Sequence, residues 1–110
     1  MKNYHAKLIY LFDKQRGICP IAKAHYGHAL PNELHHRIHN TKVNRRLYPL
    51  FINSIWNLMA VDHNYHMMYG SFGKISVLEA TKREAFLERH PMIAAAINME
   101  DADDLSMITW

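Results

Sequence analysis

The chain has 110 residues, 49% apolar, 21% charged and 11% aromatic, the balance of a globular domain and not of a disordered chain. Its one cysteine, Cys19, excludes a disulfide scaffold and a four-cysteine zinc knuckle, and no apolar run suffices for a signal-peptide core or a membrane span. The formal charge is +3, yet all thirteen Lys and Arg lie between Lys2 and Arg89, while Glu100, Asp101, Asp103 and Asp104 crowd the end; the first 99 residues therefore carry +7, which favours a polyanionic partner. The expectation is one soluble, intracellular domain spanning 1–110, with no membrane partner.

Taken in order, His5 to Gln15 has the spacing of an amphipathic helix, with Leu8, Leu11 and Phe12 on one stripe and Gly17 as its stop. Ile18-Cys19-Pro20-Ile21 reads as a turn or short strand leading to the core, Ala22 to Ala29 is ambiguous, and Gly27 and Pro31-Asn32 punctuate a loop. Glu33 to Ile38 reads as a strand. His39 to Arg46 reads as a polar, basic connection, and Leu47 to Ile55 as a short helix or an irregular packed segment around Pro49. Trp56 to Val61 reads as a second strand whose start Asn57 marks, and Asp62 is a good N-cap for a helix running to Tyr69. Gly70 to Gly73 is a turn. Ser76 to His90 is the clearest helix, with Glu79 and Arg83 spaced to pair. Pro91 then opens a further helix to about Met99.

Histidine dominates the chemistry. His35 and His36 are adjacent on the first strand, and neighbours on a regular strand point to opposite faces, so the two do not share one ion from that geometry. One as metal ligand and the other as general base is the natural division, and His66 on the following helix can complete a metal site. Two protein ligands leave positions open for phosphate and water, as a catalytic centre requires. By itself a His-His pair on a strand is commonly one core and one surface residue. Arg37, Lys42, Arg45 and Arg46 flank the pair and suit phosphate contacts. His5, His25, His28, His39 and His90 read as structural or solvated, Cys19 as a small buried apolar residue, and the seven Met as core filler.

The order Glu33-Leu34-His35-His36, Asn57-Leu58 and His66 resembles the HNH endonucleases with their ββα-metal fold. That family has an acidic residue or His followed by His on the first strand, Asn-Leu at the second, and His nine positions after the Asn, the spacing from Asn57 to His66. The lead-in Arg16-Gly17-Ile18-Cys19-Pro20 is also similar, and the likeness covers roughly Lys7 to His66. The resemblance implies an α+β fold with a ββα-metal core at about 33–69, an N-terminal helix at about 5–16 and C-terminal helices at about 76–99. It implies that His35 and His66 hold one divalent ion (Mg, Mn, Ni or Zn), that His36 is the general base, and that Asn57 keeps the base oriented. His63 and Asp62 are candidates for a third ligand or for a group orienting one. The implied reaction hydrolyses DNA phosphodiester bonds, by nicking or double-strand cleavage, leaving a 5′-phosphate and a 3′-hydroxyl; RNA is the alternative substrate, and a homodimer is one way to cut both strands. It also implies the bacterial or phage-infected cytoplasm as the setting, and a phage or mobile element as the source.

One departure is plain. Many members hold a structural zinc with two Cys-x-x-Cys pairs, whereas the corresponding places here are Cys19 and Ala22, then Asp62 and Tyr65. No structural zinc is expected, and packing by Ile18, Ile21, Leu58 and the flanking helices should replace it. Two other classes remain: a non-enzymatic nucleic-acid-binding module on the same scaffold, and a domain that uses the His cluster only for a structural zinc. The first would bind without metal-dependent cleavage; the second would unfold on chelation.

Overall fold

The computed structural model describes residues 1–19, 24–25, 33–68 and 72–100, with backbone alone for Ile18, Ala24, His25, Asn64 and Tyr65. Expectations for Pro20, Ile21 and Ala22, the loop at Gly27 and Pro31-Asn32, Tyr69, the Gly70-Ser71 half of the turn, and the acidic tail lie outside these residues. The chain is α+β. Its elements are α1 (Tyr4–Lys14), β1 (Ile18–Cys19), β2 (Ala24–His25), β3 (Glu33–His36), α2 (Lys42–Leu47), β4 (Leu58–Val61), α3 (His63–Met68), α4 (Val77–Arg89) and α5 (Pro91–Ile97). β1 pairs antiparallel with β2, and β3 pairs antiparallel with β4 in the register Glu33↔Val61, Leu34↔Ala60, His35↔Met59 and His36↔Leu58. The β3–β4 hairpin followed at once by α3 is the ββα core, and α1, α4 and α5 flank it.

α1 forms where its spacing predicts, burying Ala6, Lys7, Leu8 and Leu11. Its left-handed stop falls one residue before the glycine: Arg16 takes that conformation (φ 57°), Arg16 N–H reaches Asp13 O at 3.0 Å and Gly17 N–H reaches Phe12 O at 3.1 Å. Those two bonds make a Schellman stop, in which Gly17 follows as a second positive-φ residue. α1 packs on the hairpin face made by Leu34, Leu58 and Ala60, joining Leu8 and Leu11 in one core cluster. Gln15, just past α1, lays its side-chain amide along the outer edge of β4, donating to Ala60 O (2.9 Å) and accepting from Ala60 N–H (3.0 Å). A side chain thus occupies the place of a third strand and satisfies an edge that would otherwise be open.

The connection from His39 to Arg46 differs from expectation, because it contains α2. Thr41 caps that helix by accepting from Asn44 N–H at 3.1 Å, and no breaker occurs before Pro49. Leu47 closes α2 and is exposed, and from Tyr48 to Ile55 the chain is irregular and packed, as one of the two readings had it: Tyr48, Phe51 and Ile52 are buried with Ile38, Ile75, Ala80, Leu87, Ala94 and Ile97 in a second core cluster. Glu84 of α4 is buried there as well, accepting from Leu50 N–H (3.1 Å) and Phe51 N–H (2.9 Å) and so serving backbone that no helix or strand satisfies. α4 starts at a Ser76 cap that accepts from Glu79 N–H, and Glu79 pairs with Arg83 at 2.8 Å. Of its apolar residues, Ala80 and Leu87 are buried, whereas Val77 and Leu78 are about two-thirds exposed. Pro91 opens α5 as its first residue. Asn98 and Ile97 tie α5 back to the packed segment through Leu50 O (2.7 Å) and Ile55 N–H (2.8 Å). No helix among the described residues is long and apolar enough to cross a membrane.

Candidate active site

Strand alternation sorts the histidine pair. Leu34 faces α1 with the apolar cluster, so His36, two residues on, shares that face, while Glu33 and His35 face α3. The contacts agree. The His35 ring meets His66 of α3 edge to face, centroids 4.8 Å apart at 80°. Glu33 Oε1 accepts from Nδ1 of both His66 (2.5 Å) and His63 (3.2 Å).

His35 is 2% exposed. Its Nε2 lies 2.6 Å from Phe72 O, and since a carbonyl can only accept, Nε2 carries the proton. Nδ1 therefore holds the lone pair, and it is buried without a hydrogen-bond partner among the described residues. In His66 the carboxylate fixes the opposite tautomer: Nδ1–H donates to Glu33 and Nε2 is left with the lone pair. An imidazole tied at one nitrogen by a carbonyl or carboxylate, with the other nitrogen left for an ion, is the usual arrangement of a metal-ligating histidine. The donor set thus fits a divalent ion. His63 is drawn to Glu33 and is more than half exposed, so it joins the cluster through the carboxylate. Asp62 is buried at the start of α3, its carbonyl accepting from His66 N–H at 2.9 Å. Among the described residues, no three His, Cys, Asp or Glu side chains form a ready-made ligand group.

On the other face, His36 Nε2 donates to Asn53 Oδ1 at 2.9 Å, which leaves Nδ1 as its basic nitrogen. Burial is the main cause that holds the His36 imidazole below the usual histidine range; the bond to Asn53 works against it, and electrostatic interaction with His35, Lys7 and His66, each of which would repel a proton on the ring, adds to it. His35 is lowered in the same way, chiefly by burial, with the Phe72 bond opposing and His66, His39 and Arg37 assisting. Both rings are accordingly neutral near pH 7, as a ligand and a base must be. Lys7 is itself 2% exposed, and burial lowers its ammonium against the counter-effect of Glu100.

Asn57 is fully buried just before β4. Its Oδ1 accepts from Ile38 N–H at 2.9 Å, and its Nδ2 donates to Ile52 O at 2.8 Å and Ile38 O at 3.3 Å. One amide thereby joins the chain leaving β3 to the loop that carries Asn53, and Asn53 holds His36. Asn57 therefore acts through its neighbours and is a positioning residue. Of the basic candidates, Arg37 spends Nε on Gly73 O (2.9 Å), Arg45 bonds Asn40 O and Oδ1 (3.0 Å each), and Lys42 and Arg46 are exposed on α2.

Glu33, Asn53 and Phe72 were not among the residues selected from sequence. Glu33 stands directly before the Leu-His-His run, two residues from His35, which places it on the same strand face; that signal was available. Asn53 and Phe72 act through contacts 17 and 37 residues away in the chain, and no spacing reports those. Comparison with protein-family models, curated proteins and solved structures found no match to this chain.

Proposed function

We propose that this protein is a metal-dependent endonuclease of the HNH type that hydrolyses DNA phosphodiester bonds. The observation that carries the reading is the buried, unpartnered Nδ1 of His35 beside the carboxylate-oriented ring of His66. Leaving a polar atom buried and unpaired costs about 1–3 kcal/mol, and ligation would remove that cost. A divalent ion held by His35 and His66 would supply neutralisation of charge on the phosphoryl and leaving oxygens. Phe72 and Glu33 fix the two tautomers that ligation needs. Neutral His36 takes a proton on Nδ1 from the attacking water, whose oxygen forms the new P–O bond as the bond to the 3′ oxygen breaks. His35 and His36 lie on either side of β3, whose outer edge pairs with no other strand among the described residues; the scissile phosphate would cross that edge beside Tyr4, whose hydroxyl accepts from Leu34 N–H there. Arg37, Lys42, Arg45 and Arg46 hold neighbouring phosphates. The resemblance places such an enzyme in a phage or mobile element acting in a bacterial cytoplasm.

Incubation with supercoiled plasmid and Mg²⁺, Mn²⁺ or Ni²⁺ tests the reading. Nicked or linear product is expected from the native chain. His36→Ala should lower the rate about 100-fold or more, the usual worth of a general base, while plasmid binding stays intact. Equal cleavage by His36→Ala, or none by the native chain with any of the three ions, refutes it.

A further inference from the structure

We propose that the cleft between the start of α2 and residues Lys74–Val77 is a phosphate subsite for the nucleic-acid strand flanking the scissile bond; the identity of that strand rests on the nuclease reading. The cleft encloses about 400 Å³, and no carboxylate lines it. Its floor is Ile38 and Ile75, both buried, so its shape is set by the core and needs no ordering on binding. Its walls offer donors. Lys74 is exposed, and no described carboxylate lies within ion-pair reach of it. Thr41 and Ser76 each accept one N–H group, from Asn44 and Glu79 at 3.1 Å, and each hydroxyl keeps its proton, available to a ligand oxygen, beside one lone pair. The His39 carbonyl is taken up by Asn44 Nδ2 (2.8 Å) and Thr41 N–H (2.9 Å), which fixes the loop, and His39 is itself among the residues that line the cleft. A lysine ammonium and two hydroxyl donors, with a histidine beside them and no acid among them, select an oxyanion.

The position of the cleft selects phosphate of the same strand. The segment that forms its wall also touches the active site: Phe72 O holds His35, Gly73 O holds Arg37, and Ile75 N–H reaches Arg37 O at 3.1 Å. Ile38, in the floor, is three residues from His35 and so at most about 10 Å of chain away. A DNA strand advances about 3.4 Å per nucleotide along the helix axis, and successive phosphates lie farther apart than that through space, so a phosphate within about three nucleotides of the scissile bond falls at the cleft.

The test uses the full chain, a fluorescein-labelled 20-base-pair duplex and fluorescence anisotropy in EDTA across a KCl series, with cleavage kinetics in parallel. Lys74→Ala and the Lys74→Ala/His39→Ala double variant are compared with Lys82→Ala, an exposed lysine of α4 that does not line the cleft. Lys74→Ala should weaken binding about 5–10-fold and reduce the log–log salt slope by about one, with Lys74→Arg restoring most of both. Under cleavage conditions KM should rise in proportion while kcat changes less than about two-fold. Wild-type affinity and slope in the double variant, or an equal loss in Lys82→Ala, overturns the subsite. The two ideas fail separately. If the native chain cuts nothing yet Lys74→Ala still loses affinity and slope, the subsite stands and the nuclease reading falls; if it cuts and the double variant binds as the native chain does, the reverse holds. Both side chains are exposed, and an unchanged thermal midpoint verifies that each variant is folded.

Discussion

Replacing Asn57 by Ala separates what this residue does for the fold from what it does for chemistry. The side chain is fully buried and makes three bonds, to Ile38 N–H, Ile38 O and Ile52 O. Ile38 and Ile52 are buried too, so water cannot substitute without opening the loop. An orphaned buried N–H costs about 1–3 kcal/mol, and each carbonyl that loses a partner somewhat less, since it has two lone pairs. The expected loss is about 3–4 kcal/mol, a large share of the 5–15 kcal/mol that holds a typical domain. With a urea m-value of about 1.5 kcal/mol/M for a chain of this size, the unfolding midpoint should fall by about 2 M. Asn57→Asp sharpens the test. One carboxylate oxygen can still accept from Ile38 N–H, but the other faces Ile52 O, where an acceptor is wrong and a protonated oxygen is right. The folded carboxyl would therefore sit above the unfolded value of about 3.9. Its stability is retained below that value and is lost as pH rises towards the folded pKa. A midpoint shift under about 0.5 M for Asn57→Ala at unchanged m, or an Asn57→Asp variant equally stable at pH 4 and pH 8, would refute this account.

Three further outcomes are expected. The native chain should lose stability as pH falls below about 6.5, the unfolded histidine value, because His35 and His36 have lowered folded pKa values and the unfolded chain binds those protons first. His36→Gln should flatten that slope, and denaturation midpoints that are level from pH 7.5 to 5 would count against it. Glu84→Ala should destabilise by about 3 kcal/mol by orphaning the N–H groups of Leu50 and Phe51. Glu84→Gln, which keeps an accepting oxygen and removes a buried carboxylate whose pKa burial has raised, should cost less than about 1 kcal/mol by urea titration; equal losses in the two variants would contradict the assignment. Ni²⁺ or Zn²⁺ at 100 times Kd should stabilise the native chain by about 2.7 kcal/mol, read as a rise in thermal midpoint of roughly 10 °C. EDTA should reverse the rise without unfolding at 25 °C, His66→Ala should abolish it, and Glu33→Gln should weaken metal affinity about 10-fold or more. An undiminished rise in His66→Ala would sink the two-histidine site.

The local code of this chain is strong enough to read its elements directly. Leu8 and Leu11 mark the buried stripe of α1, Ser76 and Pro91 mark the starts of two helices, and alternation across Glu33–His36 divides the histidine pair between two faces. These follow from periodicity and capping, which are properties of residues near one another in sequence. α2 is not legible in the same way, because Lys42 to Leu47 buries no residue and so lacks an apolar stripe; only its Thr41 cap announces it. Burial of Glu84 and Lys7, the Gln15 side chain standing in for a strand, and the anchoring of His36 by Asn53 and of His35 by Phe72 all depend on backbone brought in from distant parts of the chain. Sequence thus chose which imidazoles face which layer. Tertiary structure alone fixed their tautomers and set their pKa values, because a hydrogen-bond partner and the loss of water are both supplied by segments far away in the chain.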